Sequence, residues 1–186
     1  MNKKILSAKH WQLFTLMFII PIVFIVFGEN IISNTLSKET FIYLKKFFQV
    51  LNIVVLFSWI WEIFTTFQNG IIEKTKNNRF KIFFFISLIY LIIYNVFLEN
   101  IIGRIEHNQK RILLSLHILS IFGIIHSIYF AAKSFKTYKL NKRTKFMDFI
   151  GDFFLLLIYP IGIWIMQPKI NDLLKKTTAN RVDGSD

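Results

Sequence analysis

The chain of 186 residues contains no cysteine. Disulfide frameworks, thiolate metal sites and cysteine nucleophiles are therefore all excluded. Acidic residues are also scarce, with 11 Asp and Glu against 23 Lys and Arg, so clusters of carboxylates for catalysis or cation binding have little to draw on. Glycine occurs 7 times and no glycine-rich phosphate loop can be read; no serine-triad or metal-ligand spacing stands out either. Charged residues make up 18% of the chain, whereas soluble domains carry roughly 25%.

What is present is hydrophobic. Apolar residues reach 54% and aromatics 17%, with 22 Phe. The accompanying excess of Ile, Asn and Lys is what AT-rich coding would produce, and we give the Phe abundance no functional weight. A net charge of +12 on a soluble protein would point to nucleic acid. Here the basic residues lie between long apolar runs, where Lys and Arg act as topology determinants.

Four runs match the roughly 20 residues that a helix needs to cross a hydrocarbon core. They are Trp11 to Phe27, Phe47 to Phe67, about Phe80 to Leu98, and Ile112 to Ala132. In lipid every backbone N–H and C=O must be satisfied internally, and the runs lack the alternation of a β-barrel. The expected fold is an all-α polytopic membrane helix bundle. The first run has a basic start but no small-residue cleavage site, so it reads as a retained signal anchor that Pro21 should kink. A fifth apolar stretch, Phe153 to Met166, is short and interrupted by Pro160 and Gly162. Four spans with the N-terminus inside place 17 basic residues inside and 6 outside; a fifth crossing makes the division 13 to 10. The expectation is thus four spans plus a membrane-dipping hairpin over residues 149–167, with five spans as the alternative. An amphipathic tail over 168–177 would start at Pro168 and bury Ile170, Leu173 and Leu174 on one face, and 179–186 reads as disordered.

The same end of the chain reads FAAKSFKTYKL, FMDFIGDFFLLL and YPIGIWIMQPKIN. Over this last third it resembles the C-terminal signature of a group of small multi-pass inner-membrane proteins of Gram-negative bacteria, most specifically in PIGIW and QPKIN. The resemblance implies membrane class and an inner-membrane location, with both termini cytoplasmic under the four-span count. That group has no assigned activity, so no mechanism follows from it.

Glu62 stands out in the second run. Ser58, Glu62, Thr65, Thr66 and Asn69 fall within about 60° of one line along a helix. Glu62 would lie roughly 8 Å below the inner interface, and His126 on the fourth run about 9 Å from the same face. Ser58, Glu62, Ser87 and His126 could form an inner polar layer, and Gln49, Asn52, Asn95 and His117 an outer one. A Glu62–His126 pair could bind a proton or an ion. As a hydrogen-bonded helix clasp it would contribute about 0.6 kcal/mol. Ser120, Gly123, Ser127 and Ala131, continued by Ser134, make a small-residue ridge suited to close helix packing, either inside the bundle or between copies. His126 lies about 240° round from Ser120, away from that ridge.

Lys133, Lys136, Lys139, Lys142, Arg143 and Lys145 follow the fourth run and would meet anionic lipid headgroups or fix orientation. Asp148 and Asp152, one turn apart, could bind a cation, but a salt bridge or the charge of a helix start suits them better. Arg111 and His117 match a ribonuclease-like spacing only superficially, because His117 sits in an apolar run.

These observations lead to a non-enzymatic subunit, sensor or accessory protein with no cofactor or metal. Its partners would be the bilayer, its own copies or other membrane proteins, and not nucleic acid. One alternative is an oligomeric channel, transporter or permeabilising effector using Glu62 and His126. Another is an intramembrane lipid-modifying enzyme built on Asp148 and Asp152.

Overall fold

A computed structural model of the chain describes residues 5–31, 37–68, 78–98 and 106–182. Asn69, Lys3, Lys4, Lys74, Lys76, Arg104 and residues 183–186 lie outside them. Every regular element among the described residues is helical. In chain order these are α1 (His10–Phe14), a π-helical turn (Thr15–Ile19), α2 (Ile20–Ile31), α3 (Lys38–Gln68), α4 (Asn78–Ile93), a second π-turn (Tyr94–Leu98), α5 (His107–Leu140), α6 (Phe146–Leu157) and α7 (Tyr159–Val182).

Three helical stretches, Glu39–Gln68, Arg79–Phe97 and His107–Leu140, are long and apolar enough to cross a membrane. At 1.5 Å per residue the 34 residues of α5 extend about 50 Å, well beyond a hydrocarbon core of about 30 Å. Its end is a turn in which Asn141 takes a left-handed φ of 48°, a conformation that asparagine tolerates better than most residues. The first apolar run is helical too, but its α1, π-turn and α2 pieces are individually short, and its apolar helix of intermediate length is His10–Phe24.

The chain divides into two compact units. One comprises residues 16–58 and 76–127, the other 1–15, 59–75 and 128–186. In the first, α4 and α5 approach closely. Gly123 makes this possible, since a Cβ there would collide with Ser87 Oγ and come within 2.9 Å of the Phe83 carbonyl. Ser87 Oγ donates to the Ser120 carbonyl at 3.0 Å. Ile82, Ile86 and Ile89 of α4 and Ile112, Ile118, Phe122 and Ile125 of α5 are exposed, as apolar side chains facing lipid should be.

In the second unit α1 and α6 both pack on α7. Trp59, Ile63 and Phe67 of α3, Ala131 and Phe135 of α5, Phe149 and Leu156 of α6, and Ile163, Met166 and Ile170 of α7 are buried there. The chain turns between α6 and α7 at one residue, Ile158, whose ψ of 60° ends α6 and whose carbonyl accepts from the Ile161 and Gly162 N–H groups. Pro160 sits in the opening turn of α7, where its missing N–H has no helical partner to lose. A Cβ at Gly162 would collide with the Leu155 carbonyl, so glycine lets the two helices meet at this corner.

Two boundaries differ from the sequence reading. The expected division at 168 between the stretch over 149–167 and the tail over 168–177 falls inside one uninterrupted α7, which carries Pro168 in its interior. Proline within a helix costs about 3 kcal/mol, yet Ile163, Met166, Gln167 and Ile170 are buried at helical spacing on both sides of Pro168, and their packing carries the helix through. The backbone also stays helical to Val182, past the expected disorder at 179.

Candidate functional site

Residues 5–8 precede the first helix as a turn, with the Ala8 N–H donating to the Ile5 carbonyl at 3.2 Å. Their remaining N–H and C=O groups have no helical ladder to enter, although Leu6 is fully buried. Buried backbone groups must find partners, and here side chains supply them. Glu62 Oε2 accepts the Leu6 N–H at 3.0 Å. Gln167 Nε2 donates to the Leu6 carbonyl at 2.8 Å and to the Ala8 carbonyl at 2.9 Å. Asn171 Nδ2 donates to the Ala8 carbonyl at 3.2 Å.

Gln167 is itself fully buried and held on both sides. Its Oε1 accepts the Trp59 indole N–H at 2.8 Å, and its Nε2 lies 3.2 Å from Asn171 Oδ1. Gln167 and Asn171 are one helical turn apart and so reach the same short segment, as do Trp59 and Glu62, three residues apart on α3. Outside this clasp, the ring of His10 lies 4.7 Å from that of Trp164, and Phe14 meets Trp164 edge-on at 5.3 Å. Lys9 caps α1, its N–H donating to Gln12 Oε1 at 2.8 Å. Glu62 thus anchors backbone, as an acceptor for an N–H that would otherwise be stranded.

His126 belongs to the other unit. Its ring lies 4.7 Å from Phe83 and 6.2 Å from Phe122. Of the remaining inner-layer residues, Ser87 bonds the Ser120 carbonyl and Ser58 is half-buried, while Thr65 of the polar stripe bonds the Trp61 carbonyl of its own helix at 2.9 Å. The residues expected in an outer layer are distributed in the same way. Asn52 Nδ2 donates to the Met17 carbonyl at 2.6 Å, and Asn95 Nδ2 to the Leu91 carbonyl at 2.9 Å. The Tyr90 hydroxyl hydrogen-bonds His117 Nδ1, and Tyr94 meets the His117 ring edge-on at 4.4 Å.

Met17 is four residues before Pro21, whose ring nitrogen cannot donate to it as a helical N–H would. Asn52 is the side chain that fills this gap. The ridge residues Ser120, Gly123, Ser127 and Ala131 are all buried within the chain, with Ser127 Oγ donating to the Gly123 carbonyl at 2.8 Å. Asp148 accepts the Lys145 N–H at 2.7 Å and so closes the start of α6. Asp152 is buried and pairs with Lys136 at 3.3 Å.

The sequence reading missed Gln167, Asn171 and Trp59, and gave residues 5–8, which lie between the basic residues before the first apolar run, no role of their own. A usable signal was there: a Gln and an Asn at i and i+4, both inside the QPKIN stretch, at the end of an apolar run. Among the described residues no group of three or more His, Asp or Glu is placed to hold a metal ion. No protein family model, no curated protein and no solved structure matches the chain.

Proposed function

We propose that the chain is a small multi-pass protein of the bacterial inner membrane that works without catalysis, as a subunit, sensor or accessory of other membrane proteins. The observation carrying this reading is the clasp on residues 5–8. Glu62, the intramembrane carboxylate best suited to chemistry, bonds the Leu6 backbone instead. Asp148 and Asp152, which a lipid-modifying enzyme would need, close a helix start and pair with Lys136. The small-residue ridge, which a channel would use to join its copies, is buried inside the chain.

The reading includes four spans, with the first apolar run crossing, both termini cytoplasmic, and α6 and α7 dipping into the bilayer and returning. The bonds from Gln167 and Asn171 to Leu6 and Ala8 support it, because they hold residues 6–8 beside α7, as the reading requires of two segments at one face. That face is the one on which 17 of the 23 basic residues fall.

The absence of native cysteine makes the test clean. An impermeant maleimide added to intact cells should label the chain after Ser37→Cys and spare it after Lys142→Cys or Lys175→Cys. Crosslinking in membranes should recover defined membrane proteins in fixed ratio. Ion or dye entry that requires both Glu62 and His126, lost in Glu62→Gln and in His126→Leu, would replace the accessory reading with conduction.

A further inference from the structure

The basic segment from Lys133 to Lys145 splits into two sets. Lys133 lies over the Tyr129 ring at 6.0 Å, and Lys136 pairs with Asp152 at 3.3 Å, so these two turn toward the protein. Lys139, Lys142, Arg143 and Lys145 are exposed. Directly after them α6 presents Met147, Phe154 and Leu157 outward, followed by Ile158 at the turn, while Phe149, Asp152, Phe153 and Leu156 turn inward. Met147, beside the basic set, is 77% exposed. The outward row continues over the corner through Ile161, Trp164 and Ile165 to the exposed Lys169. Between Lys145 and Lys169 there is no basic residue, and the two acidic ones are engaged with the start of α6 and with Lys136.

We propose that Lys139, Lys142, Arg143 and Lys145 form a binding site for the headgroups of anionic phospholipids, whose acyl chains cover the apolar row of α6. The proposal rests on the reading of α6 and α7 as membrane-dipping. Each half of the ligand has its match: the phosphodiester meets a set of four exposed cations, and the chains meet the row starting at Met147. A soluble phosphate would leave that row uncovered, and a nucleic acid would have no use for it.

The test uses the full chain in symmetric bilayers of known composition. A fluorophore attached after Met147→Cys is quenched by brominated phosphatidylglycerol or brominated phosphatidylcholine, and the two are compared. The expected result is a preference for phosphatidylglycerol of about fivefold or more, the share of a single surface Lys or Arg, that falls toward one with added salt. It should vanish when Lys139, Lys142, Arg143 and Lys145 are all changed to Gln, and a fluorophore after Ile118→Cys should show none. Quenching without preference at 147, or a preference that survives the four substitutions, overturns the headgroup site alone. If neither lipid quenches, the membrane-dipping reading falls and the site with it. Symmetric bilayers offer both lipids on both faces, so maleimide labelling tests the orientation of the chain separately.

Discussion

The two units spend their polar side chains differently. In the unit containing α4, two regular helices pass each other, and each polar contact between them is made by a single hydroxyl: Ser87 on the Ser120 carbonyl beside Gly123, and Tyr90 on His117. In the unit containing α7, an irregular segment of four residues draws on Glu62, Gln167 and Asn171, with Trp59 steadying Gln167. Longer polar side chains collect where the backbone leaves the helix. The same rule recurs on a smaller scale: Asn52 serves the carbonyl that Pro21 releases, and Lys46 Nζ donates at 3.0 Å to the Val96 carbonyl in the second π-turn. A regular helix satisfies itself, whereas a broken one in an apolar setting needs help from outside.

The contrast can be broken most sharply at Gln167. Gln167→Leu strands the Leu6 carbonyl and the Trp59 indole and leaves the Ala8 carbonyl to Asn171 alone, at about 1–3 kcal/mol for each group left without a partner. Thermal unfolding in detergent should show the largest loss of any single substitution here, with protease cleavage near the N-terminus appearing first. Next comes Gly123→Val, which forces α4 and α5 apart and should destabilise by about 1–3 kcal/mol on the same measurement. Glu62 separates architecture from ion chemistry. Glu62→Gln keeps an oxygen for the Leu6 N–H and should lose under about 1 kcal/mol, while Glu62→Leu should lose about 1–3 kcal/mol. A Glu62→Gln variant as damaged as Glu62→Leu would show that the charge itself is required. Asn52→Leu should cost about 0.6 kcal/mol, the scale of a single intramembrane hydrogen bond, and Ser127→Ala, which removes only a bond within its own helix, should be the mildest. If Ser127→Ala proved as costly as Gln167→Leu, the distinction between regular and broken backbone would fail.

Much of this was legible in the sequence, for reasons specific to its parts. The helices of α3, α4 and α5 follow from run length alone, since lipid permits little else. The buried face of Ser120, Gly123 and Ser127 follows from spacing. What could not be read was the partner of Glu62, because a search for partners among side chains passes over a backbone N–H. The continuity of α7 was hidden by Pro168, whose usual effect is overridden by packing on both sides of it. The fate of the basic segment was half legible: its charge was plain, but the turn of Lys136 toward Asp152 depends on how α5 and α6 meet.

The clasp also has a consequence in time. Leu6 is synthesised before Gln167, which follows 161 residues later. At roughly 5–20 residues per second that is an interval of about 10 to 30 s. Glu62 arrives after 56 residues and can hold Leu6 early. The two carbonyls must wait for α7, so the clasp on residues 5–8 stays unclosed until Gln167 and Asn171 have been made. The middle of α7 therefore closes a segment made long before it, and a chain ending before Gln167 would leave the Leu6 and Ala8 carbonyls without these partners.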